Sequence, residues 1–233
     1  MEPAIISVLC LIIGFLVCHF VPQTHVVLRY FRNKAGEYSD NVRSVLFQRL
    51  LGVVFFGFIP MMIILLGKVP SSLTGLNFSF SLFPMLAGCI VGMLLIFINF
   101  LNRKNPENLA MYPQIRKPEW NVTLLLVSAL SWLIYIYCYE FIFRGFLLFS
   151  TSESFGIWNA VTLNIAFYSL VHVPKGWKEA IGSLPLGLIF CIMCLKAGNF
   201  LPSFVAHSCL ALSTEWFALS NHPSISVIHY GRK

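Results

Sequence analysis

The stretch VTLLLVSALSWLIYIYCYEFIFRGFLLF, residues 122–149, decides the fold. As a helix it is long enough to cross about 30 Å of hydrocarbon, a task that takes about 20 apolar residues. It is in fact long enough to be tilted, to be broken, or to extend past the bilayer. Its charged side chains are Glu140 and Arg144. Four residues apart, they share a helix face and can pair.

Working outward, the whole chain is of the same character. Of its 233 residues 58% are hydrophobic and 11% charged, with a mean hydropathy of +0.78. Globular domains carry about 25% charged residues, so this is an integral membrane protein. Seven apolar runs have roughly the length of a spanning helix: 4–21, 46–67, 82–101, 122–149, 156–173, 180–197 and 201–219. The expected architecture is all-α, a polytopic bundle of about seven transmembrane helices. The opening MEPAIISVLCLIIGF has an acidic start and no small-residue cleavage site, so it reads as a retained span and not a removed signal. The expected organisation is N-terminal helices and loops over 1–120, a core over 121–220 and a short tail over 221–233, in one structural unit.

Lysine and arginine fix the expected orientation. Arg29, Arg32, Lys34 and Arg43 lie between the first two runs, with Arg49 just inside the second. Arg103, Lys104, Arg116 and Lys117 lie between the third and fourth, Lys175 and Lys178 after the fifth, and Arg232 and Lys233 at the end. With seven spans all of these share one side, against Lys68 and Lys196 on the other. The positive-inside rule then puts the N-terminus outside and the C-terminus in the cytoplasm. The net charge of +7 is an orientation signal, and nothing points to nucleic acid as a partner. The stretch NRKNPENLAMYPQIRKPEWN, residues 102–121, is a polar, proline-rich connector. It is expected to lie along the membrane surface with Tyr112 and Trp120 at headgroup level. All seven cysteines fall in apolar runs, and Cys191 and Cys194 of CIMC read as packing residues because no second pair accompanies them.

The residues that need explaining are the ionisable ones inside the runs: Glu140, Arg144, His172, His207 and Glu215. Each such charge costs about 2.5–3.5 kcal/mol on insertion scales and marks either a pair or a site. Glu140 and Arg144 read first as a buried ion pair fixing this helix against its neighbours. Each histidine alone reads as a hydrogen-bonded packing residue. Two on different spans, with a carboxylate on a third, are also what water activation or metal binding needs.

Three segments carry a family resemblance: YEFIFRG at 139–145, Tyr168 four residues before His172, and GNFLPSFVAHSCLA at 198–211. Together they resemble the CPBP family, intramembrane endopeptidases that include the CAAX proteases and bacteriocin-processing or bacteriocin-immunity proteins. The family pattern is Glu-Glu, three residues and Arg; an aromatic residue four before a His; and a His followed four later by Asn or Asp. In the family the first Glu and the middle His activate a water, and the last His with its Asn holds the oxyanion. The resemblance therefore puts Glu140 at the second Glu, Arg144 at the Arg, His172 at the water-activating His and His207 at the oxyanion His. Tyr139 then stands where the base is expected and Ala211 where the Asn is expected.

These two departures decide between readings. A phenol with an unperturbed pKa near 10 is a poor general base at pH 7, and losing an oxyanion donor costs about 10²–10³ in rate. The resemblance implies a pseudoprotease scaffold that binds a transmembrane segment or partner membrane protein without cleaving it. The alternative is an active endopeptidase using Glu140, His172 and His207, with Glu215, two turns past His207, approaching to help. Tyr139, Arg144, Tyr168, Ala211 and Glu215 would shape the site. A divalent metal on His172, His207 and a carboxylate is chemically possible, but without an H-E-x-x-H pair the sequence gives it no independent support. Transport is a weaker reading, since no paired discontinuous helices mark inverted repeats. The resemblance also implies a bacterial cytoplasmic membrane.

Overall fold

The computed structural model describes residues 2–32, 37–77 and 80–228, without the side chains of 32 and 37–40. Lys34, Arg232 and Lys233, three of the cations used for orientation, lie outside the described residues, as does the side chain of Arg32. The chain forms α1 (Pro3–Phe20), α2 (His25–Arg32) and α3 (Glu37–Gly52), the last running through a π-turn (Val53–Phe58) into α4 (Ile59–Leu65). There follow α5 (Leu82–Leu101), α6 (Pro106–Met111) and the short strand β1 (Glu119–Trp120). Next, α7 (Val122–Glu140) continues through a second π-turn (Phe141–Leu147) into α8 (Leu148–Phe155). The chain closes with α9 (Ile157–Leu170), α10 (Trp177–Ala197), α11 (Leu201–Asn221) and β2 (Ser226–Val227), which pairs parallel with β1.

All seven apolar runs are helical, as an all-α membrane bundle requires. Among the described residues, five helical stretches are long and apolar enough to cross a membrane by themselves: Pro3–Gln23, Asn41–Leu65, Leu82–Leu101, Val122–Phe155 and Trp177–Ala197. The other two differ for local reasons. α9 has only 14 residues, and the inward stripe of α11 is polar, with Ser203, Ser208, Ser213 and Glu215 buried.

The opening stretch runs on past residue 149 to Phe155, giving 34 residues, or about 51 Å at 1.5 Å per residue. Asn121 starts it by accepting a hydrogen bond from Leu124 N–H, satisfying a first-turn donor. Gly156, at φ +82°, ends it in a backbone conformation that residues with a Cβ rarely adopt, and α9 returns antiparallel. Glu140 and His172 then stand equally far along the chain from that turn, sixteen residues on either side.

The π-turn beginning at Phe141 interrupts the normal ladder, and Asn164 of α9 compensates by donating to the Phe143 carbonyl at 2.6 Å. Asn164 in turn accepts from Cys191 Sγ at 3.3 Å, while Cys194 Sγ donates to Ser203 Oγ at 3.2 Å. Both cysteines of CIMC are thus free, buried packing residues. The core gathers Tyr139, Phe141, Phe143 and Phe146 of the long helix with Leu11 of α1, Tyr168 of α9 and Phe200. Ser7 and Ser150, 2.8 Å apart, tie α1 to α8.

Against α11, α5 presents Gly88 and Gly92, one turn apart. A Cβ on Gly88 would lie 2.6 Å from the Pro202 carbonyl oxygen, and one on Gly92 2.9 Å from Cys209 Sγ. This small-residue approach is the usual way for helices to associate where lipid removes the hydrophobic driving force.

The aromatics of the connector 102–121 face the protein interior and not the headgroups. Trp120 is fully buried against Ile115, Leu124 and Leu219, and Tyr112 is buried as well. The connector is fastened to the bundle by polar contacts. Arg116 N–H donates to Asn41, Gln114 N–H to Glu215 at 3.3 Å, and Lys178 of α10 to Glu107 at 2.6 Å.

Candidate functional site

Glu140 closes α7 and is fully buried; Arg144, one turn on, is fully buried too. The guanidinium Nη1 is 3.4 Å from Glu140 Oε1, and the same oxygen accepts from His207 Nδ1 at 2.6 Å. The expected pair is therefore one limb of a three-residue bridge between α7–α8 and α11. An aromatic cage holds Arg144 from the other side: its guanidinium sits 3.9 Å from the Tyr168 ring centre, 5.3 Å from Phe190 and 5.5 Å from Phe143. Gly187 of α10 leaves room for this, since a Cβ there would meet Tyr168 at 3.1 Å.

Tyr139, about 100° round the helix from Glu140, faces the cavity side of His207 and not the carboxylate. Its ring packs on Phe143 (4.6 Å between centres), His207 (5.6 Å), Tyr135 and Phe56 (5.9 Å each) and Tyr168 (6.2 Å). Its hydroxyl is buried and has no hydrogen-bond partner among the described residues. Together with His172 and His207 it lines a cavity of about 200 Å³. Glu140 does not line that cavity.

His172 lies beyond the end of α9, in the turn that leads into α10. Its Nδ1 is 2.7 Å from the Tyr168 carbonyl, so Nδ1 carries the proton and Nε2 the lone pair. Burial, reinforced by nearby Lys175, pulls its imidazole down to about 3, so it is neutral at pH 7. His207 Nδ1 likewise faces a protein acceptor, Glu140. The cavity is therefore presented with the far edges of two imidazoles and a phenol.

Glu215 does not approach His207. It is buried at 1% exposure beside Arg49, whose Nη2 is 3.9 Å from its Oε1, and it accepts from Gln114 N–H. Arg49, 3% exposed, is the group that sequence reasoning placed merely at a span's edge. It donates to the Ser128 carbonyl at 2.9 Å, to Ser131 Oγ at 2.8 Å and to Gln114 Oε1 at 3.1 Å, and lies 4.5 Å from the Trp132 ring centre. Arg49 and Gln114 both line the cavity. The available signal was the one that flagged Arg144: a lone cation inside an apolar run, with Glu215 as the unmatched carboxylate elsewhere. Ala211 lies between His207 and Glu215 on α11, half-buried and with no polar side-chain atom to offer.

A metal held by His172, His207 and a carboxylate does not fit this arrangement. No three His, Cys, Asp or Glu side chains gather as a ligand set among the described residues. The nearest carboxylate, Glu140, is engaged by Arg144 and His207.

A polytopic helical membrane protein with a buried Glu–Arg–His bridge behind a two-histidine cavity is the class that fold and site define. Residues 119–213 match a family model described as Rce1-like, the type II CAAX prenyl endopeptidases. This is the family the three motifs resembled, and the matched stretch contains all three. No curated protein and no solved structure matches the chain.

Proposed function

We propose that the protein is a membrane-embedded binding scaffold. In this reading the cavity of a CAAX-endopeptidase-type site holds a membrane-embedded peptide or a partner membrane protein without cutting it. One observation carries it: at the position of the expected base the cavity meets the phenol of Tyr139, while Glu140 is turned into the bridge with Arg144 and His207. Water activation needs a proton acceptor facing the bound carbonyl with a pKa near the working pH. The Tyr139 phenol is no such group, and an imidazole drawn down to about 3 is a weak one. Ala211 adds the loss of an oxyanion donor, about 10²–10³ in rate.

His19, Gln48, Gln114 and Lys175 also line the cavity, and all four lie beside the basic connectors. By the positive-inside rule the cavity then opens to the cytoplasm, with the N-terminus outside. The reading places the protein in a bacterial cytoplasmic membrane.

One contact favours a second reading. The 2.6 Å bond between Glu140 and His207 is a carboxylate–imidazole dyad of the sort hydrolases use, and it would let Glu140, His172 and His207 act in an endopeptidase. Affinity purification of detergent-solubilised wild-type protein beside His172→Ala, with mass spectrometry of what co-purifies, separates the two. An intact, stoichiometric membrane partner that the variant loses supports the scaffold. Truncated peptides that the variant loses support the endopeptidase.

A further inference from the structure

α1, the first π-turn and α4 enclose a groove of about 450 Å³ that shares no lining residue with the histidine cavity. Its walls are Ile6, Leu9 and Ile13 of α1 and Phe55, Ile59 and Ile63 of the π-turn and α4; among the described residues, Lys68 is its one charged lining residue. We propose that this groove is a binding site for one acyl chain of an anionic phospholipid, with the lipid phosphate on Lys68.

Shape, depth and charge support this. At about 30 Å³ per water-sized group, the groove accommodates roughly fifteen such groups, the bulk of a single alkyl chain. Along the π-turn and α4 it extends from Phe55 to Ile63, and along α1 from Ile6 to Ile13, about 10–12 Å at 1.5 Å per residue. That is most of one leaflet's share of a 30 Å hydrocarbon core.

Lys68 stands just past the helix end, where the headgroup layer begins. α4 closes at Leu65, and Gly67, at φ +70°, turns the chain with its N–H on the Ile64 carbonyl at 2.9 Å. The Lys68 N–H then bonds the Ile63 carbonyl at 3.2 Å, holding the residue over the groove. Its side chain is exposed and makes no ion pair with a described carboxylate. A partner's apolar helix would leave that ammonium without a counter-charge, whereas a phosphate supplies one.

The test is lipid retention. Wild type, Lys68→Gln and Ile59→Trp are reconstituted in nanodiscs of phosphatidylcholine mixed equally with phosphatidylglycerol, extracted, and analysed by native mass spectrometry. Wild type should retain phosphatidylglycerol over phosphatidylcholine by about fivefold, the effect of one lysine near an anionic headgroup. Lys68→Gln, a surface change, should bring the two lipids to parity while still holding one. Ile59→Trp, which fills the groove, should hold neither. An unchanged preference in Lys68→Gln, a wild type with no retained lipid, or a co-purifying helix seated in the groove would each overturn the proposal.

Discussion

Replacing Arg144 by Met tests the buried bridge. Arg144 and Glu140 are both at 0% exposure and 3.4 Å apart, so removing the guanidinium strands a carboxylate where no water reaches. His207 would remain as a hydrogen-bond partner. Breaking a buried pair from one side costs about 3–5 kcal/mol. In a chain of this size each kcal/mol moves the melting temperature by about 2–4 °C, so Arg144→Met should melt about 6–20 °C below wild type. The cost arises from the uncompensated charge, so neutralising it should recover much of the loss. In Glu140→Gln/Arg144→Met the amide oxygen still accepts from His207, and the double variant should melt well above the single one. The assay is thermal unfolding in detergent followed by intrinsic tryptophan fluorescence. A single variant melting within about 2 °C of wild type, or a double variant no better than the single, would refute the reasoning.

Other consequences are as direct. His172 is neutral in the folded protein, with its pKa drawn from 6.5 to about 3, so acidification favours the unfolded chain, which binds the proton first. Stability should fall by up to about 2 kcal/mol between pH 6.5 and pH 5, and a pH series of melting temperatures should be flatter in His172→Gln. Gly88→Leu drives a side chain into the Pro202 backbone and should cost at least the 1–3 kcal/mol of an overpacked core. Gly182→Ala, at a helical position with nothing within 4 Å, should instead raise stability by about 0.5–1 kcal/mol in the same melts. Arg49→Met strands Glu215 as Arg144→Met strands Glu140, and its melting temperature should recover on adding Glu215→Gln.

Much of this was legible from composition and spacing. A run such as 122–149 has no stable place but a membrane or a core, and Glu140 and Arg144 declare their pairing by their separation. Tyr168 and His172 do so as well, one turn apart and 4.6 Å between rings. What could not be read depends on contacts distant in sequence. Neither π-turn has a signature of its own; the one at Phe141 is compensated by Asn164, from another helix. Arg49 looks like an interfacial cation until Ser128, Ser131, Gln114 and Glu215 are brought to it. The same network explains why Glu215 turns from His207, although one face of α11 carries both. Trp120 reads as a headgroup anchor by residue type, yet the pairing of β1 with β2 at the far end of the chain draws it into a core.

In the proposed scaffold, Tyr139 and Ala211 take the chemistry out of a site whose frame is kept. The most direct measurement is cleavage of a labelled membrane-anchored peptide in proteoliposomes, read by mass spectrometry, for wild type, Tyr139→Glu/Ala211→Asn and Glu140→Gln. The account predicts no product from wild type and product from the double variant. Product from wild type that disappears in Glu140→Gln would contradict it and make Glu140 the working base.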